Sequence, residues 1–253
     1  MVWDRNVRAV AFEACGCFPT GRHYAGIAHL LRTVVRGLVE ELAPDAAWCD
    51  LPIALVDVET TGTDTSADRV VEVGVAIARG GEILERKNWL VNPGRPIPKE
   101  AMEVHKITDD DVKDAPPFEV VAREIVAMLA GCVPAAYNAA FDRSFLRSEI
   151  ARAGLSEEDL PAALRKNVEW LDPLVWAREL QQGERSRALG EVASRLGIAH
   201  DNAHRASDDA EAALRVMLAL GRDVRVPQTY AALVQEQRRL SMAQSDERRL
   251  KWR

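Results

Sequence analysis

The stretch Ile53-Ala54-Leu55-Val56-Asp57-Val58-Glu59-Thr60-Thr61-Gly62 constrains this chain more than any other. It begins as a short apolar, β-branched run, the pattern of a buried strand. Side chains alternate across a strand, so Ile53, Leu55, Asp57 and Glu59 share one face, and Ala54, Val56, Val58 and Thr60 the other. Two acids therefore follow Ile and Leu on an otherwise apolar face, where a carboxylate is unfavourable unless something offsets its charge. A divalent cation at the strand end is the simplest offset, because hard cations such as Mg²⁺ take carboxylate oxygens. The alternative is a strand that stops at Asp57 and leaves both acids in water.

The flanking sequence builds a domain around this strand. Val71, Val73, Val75 and Ile77 alternate with Glu72, Gly74, Ala76 and Ala78, which predicts a second strand. Gly80-Gly81 marks a hairpin, and a third strand runs from Ile83 to Val91 before Pro93-Gly94. Beyond this meander come a helix over Phe118–Leu129, a short buried strand over Val133–Tyr137, and a turn at Asn138–Phe141. A helix then runs from Asp142 to about Ala153, stopped by Gly154. Further helices are expected over Pro173–Leu180, Leu189–Leu196 and about Arg205–Leu220. Strands followed by helix, strand and helix indicate an α/β fold, a mixed sheet flanked by helices.

Three segments follow from this. Residues 1–49 read as an N-terminal extension, because Ile27, Leu30, Leu31, Val34, Leu38 and Leu42 make a helical stripe closed by Pro44. Residues 50–221 form the main domain. Residues 222–253 form a charged, helical C-terminal tail with Arg238, Arg239, Arg248, Arg249, Lys251 and Arg253 against Asp246 and Glu247. Such a tail is either an arm for nucleic acid or a protein partner, or a solvated helix.

The formal charge of −6 gives no basic excess, so any contact with nucleic acid must be local or bridged by cations. No apolar run approaches the length of a bilayer and the N-terminus shows no signal-peptide pattern. Four scattered cysteines suit a reducing compartment, so a cytoplasmic protein without a membrane partner is expected. Cys15-Gly-Cys17 with His23 is spaced too tightly for a zinc clip and reads as a loop.

Two more acids and one histidine match the chemistry of the first stretch. Asp142 heads a helical stripe with Phe145, Leu146 and Ile150, so it faces inward, where it also meets the positive end of its helix. Asp209 aligns with Ala213, Val216 and Leu220, whereas Asp208 aligns with Ala212 and Arg215. Helical phase therefore turns Asp209 inward and Asp208 outward. His204 lies five residues before Asp209; five helical steps rotate by about 140° past a full turn, so His204 fits better on the preceding loop, aimed back at the acids.

Asp57-Val58-Glu59-Thr60-Thr61-Gly62, Asn138-Ala139-Ala140-Phe141-Asp142 and His204-Arg205-Ala206-Ser207-Asp208-Asp209-Ala210 resemble the three motifs of the DEDDh 3′–5′ exonucleases. That group includes the proofreading ε subunit of bacterial DNA polymerase III and ribonuclease T. The resemblance covers roughly residues 50–221. Val104-His105-Lys106-Ile107-Thr108 also resembles a family segment, with Lys106 in place of a glycine, and Tyr137 stands where many members carry His. The resemblance implies a ribonuclease-H-like fold with a mixed five-stranded sheet and terminal helical extensions. It implies that Asp57, Glu59, Asp142 and Asp209 bind two Mg²⁺ or Mn²⁺ ions, and that His204 accepts the proton of the attacking water. Thr60, Thr61, His105 and Asn138 would contact the 3′-terminal nucleotide.

The expected activity is 3′–5′ hydrolysis of single-stranded or frayed ends, DNA favoured over RNA, releasing nucleoside 5′-monophosphates. The terminal extensions would meet a polymerase or another replication or repair partner. RNA trimming is the alternative within this class. A non-catalytic binding module is the alternative outside it, and such a module would be expected to have lost one of the five residues.

Overall fold

The computed structural model of the chain describes residues 36–200 and 205–251, and residues 37–253 form one compact unit. Cys15, Cys17, His23, the stripe from Ile27 to Val34, and His204 lie outside the described residues. Four strands make one sheet: β1 (Ile53–Thr60), β2 (Val70–Arg79), β3 (Glu82–Leu90) and β4 (Val133–Ala135), in the order β3-β2-β1-β4. The meander pairs antiparallel as its alternation predicts, and β4 joins β1 in parallel. Helices follow as α1 (Lys99–His105), α2 (Asp109–Val112), α3 (Phe118–Met128), α4 (Ala139–Arg152), α5 (Pro173–Leu180), α6 (Leu189–Arg195), α7 (Ala206–Leu220) and α8 (Tyr230–Lys251).

The expected fifth strand is not formed among the described residues. Leu171 makes a single parallel bridge to Ala135 and then the chain leaves the sheet. The cause is local: Asp172 caps α5 by accepting the Leu174 N–H at 2.9 Å, and Pro173 occupies the first turn, so the next residues are committed to helix. The expected helix through Leu42 also fails in its described part, where residues 36–42 form turns. Gly37 sits at φ 89°, a conformation that interrupts a helix. Val39 instead packs on Ala162, Ala163 and Val168, and its N–H donates to the buried Tyr230 hydroxyl at 3.1 Å.

The two faces of the sheet are covered differently. Ala54, Val56 and Val58 enter a large cluster with Phe118, Ile125, Phe145 and Leu146, so α3 and α4 cover that face. The opposite face, with Asp57 and Glu59, is crossed by α7. Asp57 stands directly across from Gly74 in the β1–β2 ladder. A Cβ on Gly74 would meet the Ala206 carbonyl carbon at 2.1 Å, so the absent side chain lets α7 begin directly on the sheet. Gly74→Ala is expected to push α7 outward and to destabilise the protein by about 1–3 kcal/mol, read as a lower denaturant midpoint with an unchanged slope.

α8 is packed against the body over its first half. Leu233, Val234 and Leu240 are buried, the Tyr230 N–H donates to the Ala46 carbonyl at 3.0 Å, and the Gln237 side chain is almost fully buried. Among the described residues no helix is long and apolar enough to cross a membrane.

Candidate metal centre

β4 pairs with β1 only as far as Leu55, so the second half of β1 has no ladder partner on that side. The orphan Val58 N–H is taken up by Asp142, whose Oδ1 accepts it at 3.0 Å. Asp142 can do this because α4 starts at Ala139, three residues earlier than the sequence suggested. Asn138 caps it in the left-handed region, at φ 71°, a conformation Asn tolerates better than most residues. Asp172 fixes that start, accepting the N–H groups of Asn138 at 3.0 Å and Ala139 at 3.1 Å. Further along α4 the buried Glu149 binds Arg69 at 2.7 Å and Arg152 at 2.9 Å, anchoring the helix to the start of β2.

On the other face, α7 brings Asp209 over β1. One carboxylate oxygen each from Asp57, Glu59 and Asp209 lies within 4.8 Å of the others, and Asp142 adds its charge from the edge of the strand. A bulge between Glu59 and Thr60 turns the strand away just past this group. Helical phase is as read from the sequence: Asp209 is buried, while the Asp208 carboxylate reaches out to Arg86 at 2.7 Å. Glu72, directly opposite Glu59, is fully buried and places like charges across the ladder. Its charge is met by Arg205 at 2.7 Å, Asn88 at 2.8 Å and the Ala206 N–H at 2.8 Å. Glu72 thus holds the N-terminus of α7, the helix that carries Asp209.

Electrostatics single out the three acids on β1 and α4. Burial, followed by the charges of Asp142, Glu59, Asp209 and Glu72, raises the Asp57 carboxyl well above the ordinary range. Burial, then Asp209, Glu72 and Asp142, pushes Glu59 up to about 8. Burial lifts Asp142 to about 8 even though the Val58 N–H opposes it. Every charge named as acting on Asp57 and Glu59 is negative, so the group calls for a cation. An all-oxygen donor set fits Mg²⁺ or Mn²⁺ better than softer metals. Asp209 additionally bonds the His200 imidazole through Nε2, a contact between residues nine apart that the sequence pattern did not single out.

The remaining expected contacts are more dispersed. The Thr60 hydroxyl donates to the Gly62 carbonyl at 2.6 Å, and Thr61 Oγ1 bonds Asp68 and accepts the Arg69 N–H, so both brace the loop after β1. His105 is buried, and its Nδ1 accepts the Ile107 N–H at 3.0 Å, which assigns the ring proton to Nε2. Asn138 is exposed at the head of α4.

A family model described as Exonuclease (RNase T) matches residues 55–217. The chain is 30% identical over 214 residues to the PolC-type DNA polymerase III of Thermotoga maritima, covering 84% of this chain and 15% of that protein. It is 32% identical over 158 residues to the 3′-5′ exonuclease DinG of Bacillus subtilis, covering 62% of this chain and 16% of that protein. The chain thus spans about 15% of the length of these curated relatives. Among solved structures, exonuclease X in complex with 5′ overhanging duplex DNA matches with TM-score 0.54 and 22% identity, covering 72% of this chain and 99% of that one. The zinc-bound E. coli ExoI–ssDNA complex matches with TM-score 0.59 and 20% identity, covering 70% and 42%. At these identities the structural likeness shows a shared fold.

Proposed function

The chain belongs to the Exonuclease (RNase T) family, and from that premise we propose that it is a metal-dependent 3′–5′ exonuclease. It hydrolyses the last phosphodiester bond of a single-stranded or frayed 3′ end and releases a nucleoside 5′-monophosphate. The observation that carries this reading is the clustering of Asp57, Glu59 and Asp209 carboxylate oxygens within 4.8 Å of one another, with Asp142 beside them and neighbouring carboxylates raising Asp57 and Glu59. Two relatives named as a DNA polymerase and a DinG exonuclease, and two structural neighbours solved with DNA, favour DNA over RNA.

Asp57, Glu59, Asp142 and Asp209 would hold two Mg²⁺ or Mn²⁺ ions. When bound, such ions supply charge relief on the attacked phosphate and a water that loses its proton near neutral pH. His204 would accept the proton of the attacking water as the new P–O bond forms, while the bond from phosphorus to the 3′ oxygen of the preceding nucleotide breaks and that oxygen takes a proton from solvent. Thr60, Thr61, His105 and Asn138 contact the terminal nucleotide. Glu72 and Asp172 keep α7 and α4 in register so that their acids meet β1. Residues 50–221 are the catalytic domain in this reading, and the segments 1–49 and 222–253 would meet a polymerase or other replication or repair partner. The free Cys49 and Cys132 suit a cytoplasmic location.

The test is release of mononucleotides from 3′-labelled single strands, DNA and RNA in parallel, with Mg²⁺ and with EDTA. Release from neither strand in Mg²⁺, or undiminished release in EDTA, refutes the proposal. The same assay checks the two adjacent acids. Asp209→Asn should lose nearly all turnover, while Asp208→Asn, which breaks only the half-exposed pair with Arg86, should stay within about twofold of wild type. The reverse pattern would place the wrong acid at the centre.

A further inference from the structure

A cavity of about 880 Å³ opens beside the start of α4. Tyr137 and Asn138 line it, together with Arg178 on α5, Arg187 on the connection to α6, and Gln244 and Arg248 on α8. Among the described residues none of these three arginines is in an ion pair with a carboxylate, whereas Arg69, Arg86, Arg147, Arg152 and Arg205 all are. Glu179 and Glu247 also border the cavity, and the charge of Glu179 acts on Arg225 and Arg239 as well. Burial, followed by the positive charge of Arg248, holds the Arg178 guanidinium below its ordinary range; Arg187 adds to this, and Asp172 and Tyr137 oppose it. Arg187 Nε is buried and has no hydrogen-bond partner among the described residues, while its terminal nitrogens donate to the carbonyls of Gln181, Gln182 and Glu184. Three guanidinium groups that converge on one cavity without a carboxylate ion pair describe a site for an anion.

We propose that this cavity binds the phosphodiester backbone of the strand upstream of the scissile bond, and that α8 is one of its walls. The proposal rests on the exonuclease reading and adds a place for the rest of the substrate. Its volume accommodates about two nucleotides. Asn138 belongs both to the cavity and to the cap of the helix that presents Asp142, one turn away, so a strand ending at the acids continues into the cavity. That continuity favours a nucleic-acid strand over an acidic peptide, which would meet the same arginines without reaching the acids. Guanidinium groups suit phosphate oxygens because their planar fork can donate two hydrogen bonds at once.

The test is binding of a fluorescent single strand of about eight nucleotides to the full chain in EDTA, followed by anisotropy, which needs no turnover. The double variant Arg178→Ala/Arg248→Ala should raise Kd about tenfold or more. It should also reduce the slope of log Kd against log salt by about 1.4, the expected loss for two phosphate contacts on a single strand. Arg248→Glu alone, near the end of α8 and away from the core, should weaken binding without threatening the fold. In Mg²⁺, kcat/KM for the strand should fall about tenfold relative to that for a chromogenic thymidine 5′-phosphodiester too short to enter the cavity. Unchanged Kd and salt slope in both variants overturns the proposal, as does displacement of the fluorescent strand by an acidic peptide at lower concentration than an unlabelled strand requires. If wild type releases no mononucleotide from either 3′-labelled strand in Mg²⁺, the exonuclease reading fails, while the anisotropy result still decides what the cavity binds.

Discussion

Asp57→Asn is expected to move turnover and stability in opposite directions. Turnover should fall by roughly 10³-fold or more, because the residue sits among all the other acids of the centre. Stability without metal should rise. An acid whose pKa is higher in the folded than in the unfolded protein contributes a penalty that is absent below the unfolded value and grows as pH rises toward the folded one. Glu59, lifted from 4.5 to about 8, and Asp142, lifted from 3.8 to about 8, set that window. At neutral pH most of the penalty is present, about 2–4 kcal/mol for one such group, and removing one anion also relieves its neighbours. In EDTA at pH 7 the variant should therefore melt about 4–16 °C above wild type. Mg²⁺ or Mn²⁺ should raise the wild-type midpoint and narrow or reverse the gap. Melting curves in EDTA at pH 5 and pH 7 separate the two effects, since the gap should shrink at the lower pH. An Asp57→Asn variant that melts lower than wild type in EDTA, or that keeps its turnover, refutes the four-carboxylate centre.

His204→Ala is expected to separate chemistry from binding. The four carboxylates remain, so metal and strand affinity should survive, while kcat falls by about 10²–10⁴-fold, the usual worth of a positioned base. A base must be neutral to accept a proton, and an unperturbed histidine titrates near pH 6.5, so wild-type single-turnover rates should climb through that region. The variant should lose that inflection as well as the rate. Rates and pH profile matching wild type would mean that the proton goes to solvent.

The parts of the fold that depend on neighbours in sequence were legible in it. β1 and its two acids follow from alternation, the meander from Gly80-Gly81, and the inward turn of Asp209 from helical phase. What was not legible depends on partners far along the chain. Glu72, Glu149 and Asp172 look like ordinary polar residues of a strand, a helix and a loop. Each is buried or largely buried because it meets Arg205, Arg69 or the N-terminus of α4 across 133, 80 or 33 positions. The early start of α4 has the same origin, since Asn138 is held in its left-handed conformation by a carboxylate that no local pattern reveals. The fifth strand was an expectation of resemblance, and Asp172-Pro173 ends it after one bridge by starting a helix instead.

Asp172 also couples three helices. Its carboxylate accepts from the starts of both α4 and α5, and its own N–H donates to Gln237 on α8 at 2.8 Å. Elements that would otherwise fray independently are tied into a single cooperative opening unit. The amide protons of Asn138, Ala139 and Leu174 should then exchange with solvent at one shared rate, set by how often α8 lifts away. Anything that grips or releases the C-terminal helix thereby sets how long Asp142 stays on the strand.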